Sequence, residues 1–228
     1  MTVGMGPDYP LSHDLTHGAL LACAMTLSTP SLPTTHLLYL HGFRSSPQST
    51  KARQVAALMA QQFPHITWWC PQLPPSPKAA AALIAQGTAN WPAQSMAVIG
   101  SSLGGFYATW LAAYKGCKAV LLNPAIDPAR DLAKYIGEHT AWHDPAERFY
   151  FAPEFVDELR TLEVGPLPHP ERVWALIAKG DEVLDWREMT ARYPGSQQVV
   201  LEGGDHAISD FAQHLPQLLE FLDLQPAP

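Results

Sequence analysis

Short apolar runs alternate with segments of helical periodicity from about Thr35 to the end of the chain. The apolar runs are predicted to be strands and cover residues 36–41, 66–70, 95–100, 118–123, 173–179 and 198–201. The helical segments cover residues 48–63, 78–86, 103–114, 184–193 and 208–222, the last despite Pro216 inside it. Because the runs lack inside–outside alternation, we expect helices on both faces of a mostly parallel six-stranded sheet, which is an α/β fold.

The alternation stops between about residues 127 and 172, where the chain is polar, aromatic and irregular. We expect two short helices there, forming a small lid-like insertion beside the strand ends, because long irregular segments usually have a function. An ordinary long crossover is the alternative. Five aromatic residues of this insertion are expected to line a shallow apolar acyl pocket if they overhang Ser102, namely Trp142, Phe149, Tyr150, Phe151 and Phe155. The alternative is that they are core residues of the crossover and face the sheet.

Residues 1–33 are rich in Pro, Thr, Ser, Gly and His, and we predict a disordered N-terminal extension before a domain at 34–228. No Lys or Arg precedes Arg44, so the basic start of a signal peptide is missing. A native start at Met25 is an open alternative. His13 and His17 have helical metal-pair spacing, but no third ligand accompanies them, so we predict no metal site.

Composition narrows the range of functions. The chain has 228 residues, of which 47% are hydrophobic, enough for one sizeable core. Its formal charge is −7 and it has no basic run, which argues against a nucleic-acid partner. Three widely spaced cysteines form neither a zinc motif nor a disulfide framework and fit a cytoplasmic location. We expect a small-molecule partner and no membrane partner, and the oligomeric state stays open.

The stretch GSSLG matches the pattern G-x-S-x-G, with Ser102 at its centre and Gly100 and Gly104 on either side. A predicted buried strand precedes it and a predicted helix follows it. This is the context in which a strained turn exposes a nucleophilic serine. Ser101 does not fit the pattern, because its neighbours at two positions' distance are Ile99 and Leu103. A simple Gly/Ser turn is the alternative, whereas a phosphate loop would need a Lys-Ser/Thr pair after the last glycine.

A serine nucleophile needs a histidine base and an acid that orients it, in the chain order Ser, Asp, His for this architecture. Asp181 directly follows one predicted strand and His206 follows the next, so both are expected at the same sheet edge. Asp185 is an alternative acid, although its place at a helix start also suits a cap. Asp205 is interpreted as a turn residue.

An oxyanion formed by serine attack needs preorganised donors. The backbone N–H of Leu103, directly after the nucleophile, is one candidate. The second is the backbone N–H of Phe43, in the loop LHGFRSS after the first strand, where Gly42 permits the turn. His41 either supports this loop or is a packed structural histidine.

These stretches together resemble the YqiA/YcfP-type bacterial esterases, small members of the α/β-hydrolase superfamily. The matching segments are LLYLHGFRSSPQSTKA, PQLPPSP, VIGSSLGGFYATWLA, LLNPAIDP, GDEVLDWRE and EGGDHAISDF. The resemblance implies an α/β-hydrolase fold, a Ser102–His206–Asp181 triad and esterase activity on short-chain esters without a cofactor. The alternatives are an acyl thioesterase, or a catalytically inactive binding protein on the same fold.

Overall fold

Strands and helices alternate through residues 32–141, 144, 146 and 148–224, the part of the chain that the computed structural model describes. The strands are β1 (His36–Leu40), β2 (Thr67–Trp69), β3 (Met96–Ser101), β4 (Lys118–Leu122), β5 (Gly137–Thr140), β6 (Arg148–Phe151), β7 (Val173–Ala178) and β8 (Gln197–Leu201). The helices are α1 (Thr50–Gln62), α2 (Pro77–Gly87), α3 (Leu103–Lys115), α4 (Pro128–Leu132), α5 (Pro153–Thr161), α6 (Trp186–Arg192) and α7 (Leu215–Phe221). Within this part of the chain, no helix combines the length and the apolar character needed to cross a membrane.

Six strands form one sheet in the order β2-β1-β3-β4-β7-β8, and every neighbouring pair in it is parallel. The predicted six-stranded α/β architecture is therefore confirmed. The carboxyl ends of parallel strands meet at one edge of the sheet. The loops after β1, β3, β7 and β8, which carry the predicted site residues, consequently lie at that shared edge.

Both faces of the sheet are covered by helices. Along β1, Leu37 and Tyr39 belong to one core, and Leu38 and Leu40 belong to the other. Helices α1 and α7 pack on the first face, and α2, α3, α5 and α6 pack on the second. Strands β3, β4 and β7 are buried along their whole length, which explains why they appear in the sequence as continuous apolar runs.

The insertion at 127–172 contains the two short helices expected there, α4 and α5, and also a β-hairpin that the pattern did not predict. Strands β5 and β6 pair antiparallel, with Gly137 opposite Phe151 and Thr140 opposite Arg148. Each strand has four residues, so the alternation of side chains is too short to stand out from the sequence. The hairpin lies against the loop after β1, where the Arg44 guanidinium donates to Thr140 O at 2.9 Å.

The aromatic residues of the insertion do not share one environment. Phe149 lines a small cavity near Leu103, whereas Tyr150 is 55% exposed. Phe151 is buried in the core, and Phe155 packs against it. Successive side chains of a strand point to opposite faces, which separates Phe149 from Tyr150. Phe151 and Phe155 therefore fit the alternative of core residues, and the expectation of a pocket shared with Phe149 was wrong for them and for the exposed Tyr150.

The closing segment, predicted as one helix over 208–222, is broken. A 3-10 turn at Phe211–Gln213 comes first, and α7 begins at Leu215 with Pro216 in its first turn. Proline lacks an N–H and its ring clashes with the carbonyl four residues earlier, so a helix cannot continue through it undistorted, whereas the first turn accepts it. Ile208 has a φ of 51°, which also excludes it from a right-handed helix.

Some of the predictions fall on residues 1–31, 142, 143, 145, 147 and 225–228, which lie outside the described residues. They are the disordered extension before residue 34, the interpretation of His13 and His17, and the pocket role of Trp142.

Candidate active site

A sharp turn between β3 and α3 carries Ser102. Its backbone has φ 56° and ψ −121°, a conformation that costs a residue with a Cβ about 1–3 kcal/mol. Backbone hydrogen bonds tie the turn to β4 and to the loop after it: the Ser102 N–H donates to Leu122 O at 3.0 Å, and the Ala125 N–H donates to Ser102 O at 3.0 Å. This strained strand–turn–helix geometry is the one that presents a nucleophilic serine at the sheet edge.

The glycines on either side of Ser102 allow backbones to approach closely. A Cβ on Gly100 would lie 2.2 Å from Gly104 O, and a Cβ on Gly104 would lie 2.0 Å from Leu40 O. Both neighbours are backbone atoms, which cannot rotate aside. Helix α3 can therefore start directly against β1 and β3 only because these positions lack side chains.

Replacing Gly104 with alanine is expected to destabilise the protein strongly, because the new methyl group overlaps the Leu40 carbonyl. Overpacking costs about 1–3 kcal/mol, and an overlap with rigid backbone belongs at the upper end of that range, which corresponds to a Tm lowered by about 6 °C or more in a domain of this size. Thermal unfolding followed by circular dichroism measures the change. Gly203→Ala is the matched control, since a Cβ at Gly203 would meet no atom within 4 Å. An unchanged Tm for Gly104→Ala would contradict the close approach.

The residues predicted as nucleophile, base and acid are hydrogen-bonded in series. His206 Nε2 lies 3.0 Å from Ser102 Oγ, and His206 Nδ1 lies 2.7 Å from Asp181 Oδ2. The Asp181 side chain is fully buried, and that of His206 is 21% exposed. A carboxylate beside Nδ1 favours the tautomer with its proton on Nδ1 and leaves Nε2 free to accept the serine proton.

The orientation of Asp181 is set by its own loop, directly after β7. Its Oδ1 accepts the backbone N–H groups of Val183 and Leu184, both at 2.8 Å. These two bonds leave Oδ2 as the oxygen that faces His206. The two oxygens of this carboxylate thus have separate roles: Oδ1 is held by the backbone of the loop, and Oδ2 is hydrogen-bonded to the imidazole.

The alternative acids lie in local turns. Asp185 is the N-cap of α6, where its side chain accepts the Arg187 N–H at 2.8 Å. Asp205 accepts both the N–H and the hydroxyl of Ser209, at 2.9 and 2.5 Å. The hydrogen bonds from Ser209 lower the pKa of Asp205 below its ordinary value. Asp181 is the one of the three whose carboxylate is hydrogen-bonded to the His206 ring in the described structure.

The loop after β1 passes against the serine. A Cβ on Gly42 would lie 3.1 Å from Ser102 Cβ. His41 is buried, and its Nε2 accepts the Leu73 N–H at 3.1 Å, so its proton lies on Nδ1 and is donated to Gly42 O at 3.0 Å. That carbonyl belongs to the same peptide unit as the Phe43 N–H. His41 therefore holds the peptide that carries one of the two candidate oxyanion donors.

The other candidate donor belongs to Leu103, the first residue of α3. The first N–H groups of a helix have no partner within the helix, and the helix dipole makes that end attractive to negative charge. The Leu103 N–H directly follows Ser102 in the chain. An oxyanion formed at Ser102 would therefore develop beside this helix end.

Asn123 is a residue of the candidate site that the sequence pattern did not indicate. It is fully buried at the end of β4, with a φ of 40°. Its Nδ2 donates to the carbonyls of Asp205 and His206 at 3.0 and 3.2 Å, and its Oδ1 accepts the Ala178 N–H at 2.8 Å. It thereby ties the His206 segment to the sheet. A polar residue ending a buried run, in the quoted stretch LLNPAIDP, is the signal that could have found it.

Two cavities meet at this site. The large cavity, of about 420 Å³, is lined by Ser102 and His206 and by the polar residues Ser49, Thr50 and Lys51 of the α1 start. The small cavity has a volume of about 50 Å³. Its lining includes the apolar residues Leu73, Pro74, Leu103, Ala141 and Phe149, together with Tyr107 and the polar residues His41, Arg44, Ser45 and Gln72. Gly42 and Phe43 border both cavities and so separate them.

The parallel sheet, the strained serine turn and the chain order Ser102, Asp181, His206 define an α/β-hydrolase fold. Three solved structures of this fold are similar to the chain. Alpha/beta hydrolase domain-containing protein 10 from mouse has a TM-score of 0.63 and 16% identity, and the match covers 83% of this chain and 91% of that chain. Est1E from Butyrivibrio proteoclasticus has a TM-score of 0.59 and 15% identity, covering 84% of this chain and 86% of that chain, and the esterase Pf2001 of Pyrococcus furiosus has a TM-score of 0.53 and 18% identity, covering 83% and 80%.

At this level of identity the structural likeness establishes the fold. The model of the Uncharacterised protein family (UPF0227) matches residues 36–223, and the chain belongs to that family. The match confirms the resemblance to the YqiA/YcfP-type esterases.

Proposed function

We propose that this protein is a serine hydrolase that cleaves carboxylic esters with short acyl chains through an acyl-enzyme. The observation that carries the proposal is the unbroken series of hydrogen bonds from Ser102 Oγ through His206 to the buried Asp181 carboxylate. A binding protein on the same fold has no need for this series or for a strained backbone at the serine. The arrangement therefore supports an enzyme.

In the first half of the reaction, Ser102 Oγ attacks the ester carbonyl carbon while its proton passes to His206 Nε2. The carbonyl oxygen becomes an oxyanion, which the N–H groups of Phe43 and Leu103 stabilise. When the tetrahedral intermediate collapses, the bond to the alcohol oxygen breaks. That oxygen takes the proton from His206, and the acyl group stays on Ser102.

In the second half, His206 takes a proton from water, and the hydroxide attacks the acyl-enzyme carbonyl. Collapse of this second intermediate breaks the bond to Ser102 Oγ, which recovers its proton from His206. The carboxylic acid leaves and the enzyme is regenerated. Asp181 stabilises the imidazolium in both halves without being protonated itself.

The small cavity suits the acyl half of the substrate. The larger part of its lining surface is apolar, and it borders both Phe43 and Leu103, beside which the carbonyl oxygen must lie. Its volume of about 50 Å³ has room for only a few methylene groups. This is the structural reason for assigning short acyl chains.

The test is hydrolysis of 4-nitrophenyl esters with acyl chains from two to twelve carbons by the purified full chain. We expect kcat/KM to peak at the short chains and to fall by about 10-fold or more once the chain exceeds the cavity, because each misfitting methylene costs about 1–3 kcal/mol. Phe149→Ala enlarges the cavity and should move the peak to longer chains. The matched control is Tyr150→Ala, whose side chain is 55% exposed, and it should leave the peak in place.

Two outcomes would contradict this assignment. A peak at the longest chains would exclude a small acyl cavity, and a flat profile would mean that the cavity does not hold the acyl group. Ethyl butyrate and S-ethyl thiobutyrate, compared in the same assay, separate an esterase from the alternative, an acyl thioesterase. A preference for the thioester would assign the alternative.

A further inference from the structure

The charge of the large cavity differs from that of the whole protein. The chain has a formal net charge of −7. Among the described residues that line the large cavity there is no Asp or Glu, and Lys51 is the one Lys or Arg. Among the described lining residues, the Lys51 ammonium is thus the one cation in a cavity without carboxylates, and the same cavity is lined by the proposed catalytic residues Ser102 and His206.

The chemistry of the proposed reaction decides which half of the ester enters this cavity. His206 must give its proton to the leaving alcohol oxygen, so that oxygen must lie within hydrogen-bond reach of His206 Nε2. His206 lines the large cavity and is not among the residues that line the small one. The alcohol half therefore extends into the large cavity, and the acyl half takes the small one.

Lys51 is half-buried on the first turn of α1 and reaches the segment that bears the histidine. Its ammonium donates a hydrogen bond to the Ala207 carbonyl, directly after His206. Burial lowers the pKa of Lys51 to about 8, since a desolvated ammonium is less stable than one in water. One carbonyl uses one of its three donor hydrogens, so two remain for a further partner.

The two carboxylates that act electrostatically on Lys51 form hydrogen bonds with other groups. Asp181 and Asp205 attract the Lys51 charge electrostatically, but no carboxylate of the described residues forms an ion pair with it within 4.0 Å. Asp181 is engaged with His206 and with two backbone N–H groups. Asp205 is engaged with Ser209. The positive charge of Lys51 is thus left to face the cavity.

A second polar group on the same wall of α1 is incompletely bonded. Gln54, three residues after Lys51, lines the large cavity. Its Oε1 is buried and has no hydrogen-bond partner among the described residues. A buried polar atom without a partner is unfavourable unless a bound group satisfies it. The wall therefore offers a cation, which suits an anionic group, and separately an acceptor, which suits a hydroxyl or N–H of the ligand, because an ionised carboxylate or phosphate has no hydrogen to donate to it.

Building on the proposed function, we infer that the preferred substrate is an ester whose alcohol half carries an anionic group, a carboxylate or a phosphate, and that Lys51 binds this group in the large cavity. Lys51 is then a specificity-determining residue. In this proposal Ser102 and His206 still carry out the cleavage of the ester bond. An anion in this cavity would also give the half-buried ammonium an ion pair, in addition to its bond to Ala207 O, where no carboxylate of the described residues lies within 4.0 Å of it.

The test compares two matched pairs of butyrate esters with the full chain, following release of butyrate. The carboxylate pair is O-butyrylglycolate and its neutral amide, O-butyrylglycolamide. The phosphate pair is 2-(butyryloxy)ethyl phosphate and its neutral dimethyl ester. We expect kcat/KM to favour the anionic member by about 10-fold or more in one pair, as hydrogen bonds to charged groups allow. The pair with the larger ratio identifies the anion.

Variants at Lys51 then assign the effect to this residue. In Lys51→Gln the preference should fall to about one, whereas Lys51→Arg should keep part of it because the charge remains. Arg53→Gln is the matched control: it removes a positive charge from an exposed position on the same helix and should keep the wild-type ratio. The ratio within one variant cancels any general effect of losing the bond to Ala207.

The outcomes separate this inference from the proposed function. Equal kcat/KM within both pairs would overturn the inference while leaving the esterase intact. The inference would also be overturned if Lys51→Gln lowered kcat/KM equally for both members of a pair, because Lys51 would then act only through its bond to the Ala207 carbonyl. If the wild-type protein hydrolysed neither these esters nor 4-nitrophenyl butyrate, the proposed function itself would fail.

Discussion

Replacing Ser102 with alanine is expected to lower kcat for 4-nitrophenyl butyrate by about 10³-fold or more, the scale of a lost triad nucleophile. The hydroxyl is the group that would form the covalent acyl-enzyme, and the methyl group of alanine has no nucleophilic atom. The fold should persist, because the change removes one oxygen and keeps the Cβ in the same strained backbone. Steady-state kinetics and circular dichroism on the purified variant measure both effects.

The neighbouring serine provides the control for this variant. Ser101 is the last residue of β3 and is 8% exposed, and Ser101→Ala should keep most of the activity. A fluorophosphonate probe should modify the wild-type protein on Ser102 and should leave Ser102→Ala unlabelled. Peptide mass spectrometry locates the modified residue. Labelling on another residue, or equal damage from the two alanine variants, would remove Ser102 from the proposed role.

Replacing Asp181 with asparagine is expected to lower kcat by up to about 10⁴-fold with the fold intact. Because Oδ1 is held by two backbone N–H groups, the asparagine must keep its oxygen there and present its NH₂ to His206 Nδ1. Nδ1 then becomes an acceptor and the proton moves to Nε2. In that tautomer Nε2 cannot accept the proton of Ser102.

Asp185→Asn is the control for the acid, because Asp185 caps α6 and an asparagine can cap a helix as well. Its kcat should stay close to wild type. Both variants are compared at equal folded fraction, as judged by Tm. A larger loss from Asp185→Asn than from Asp181→Asn would transfer the orienting role to Asp185.

The parts of the fold that the sequence predicted well are those specified by local pattern. Strands β3, β4 and β7 are buried on both faces, so that almost every position had to be apolar. The hairpin β5–β6 was missed because its strands are short and only partly buried. The closing helix was extended too far, because apolar spacing continued across Pro216 where the backbone could not follow.

The sequence by itself determined the sheet, the serine turn and the order of Ser102, Asp181 and His206. These follow from short-range constraints: apolar runs, glycines at fixed offsets, and the rule that parallel strands end at one edge. Tertiary structure decided what depends on groups distant in the chain. It paired Asp181 rather than Asp185 with His206, placed Asn123 under the His206 segment, and brought Lys51 of α1 to the Ala207 carbonyl. Such contacts depend on packing between elements, which no local pattern in the chain records.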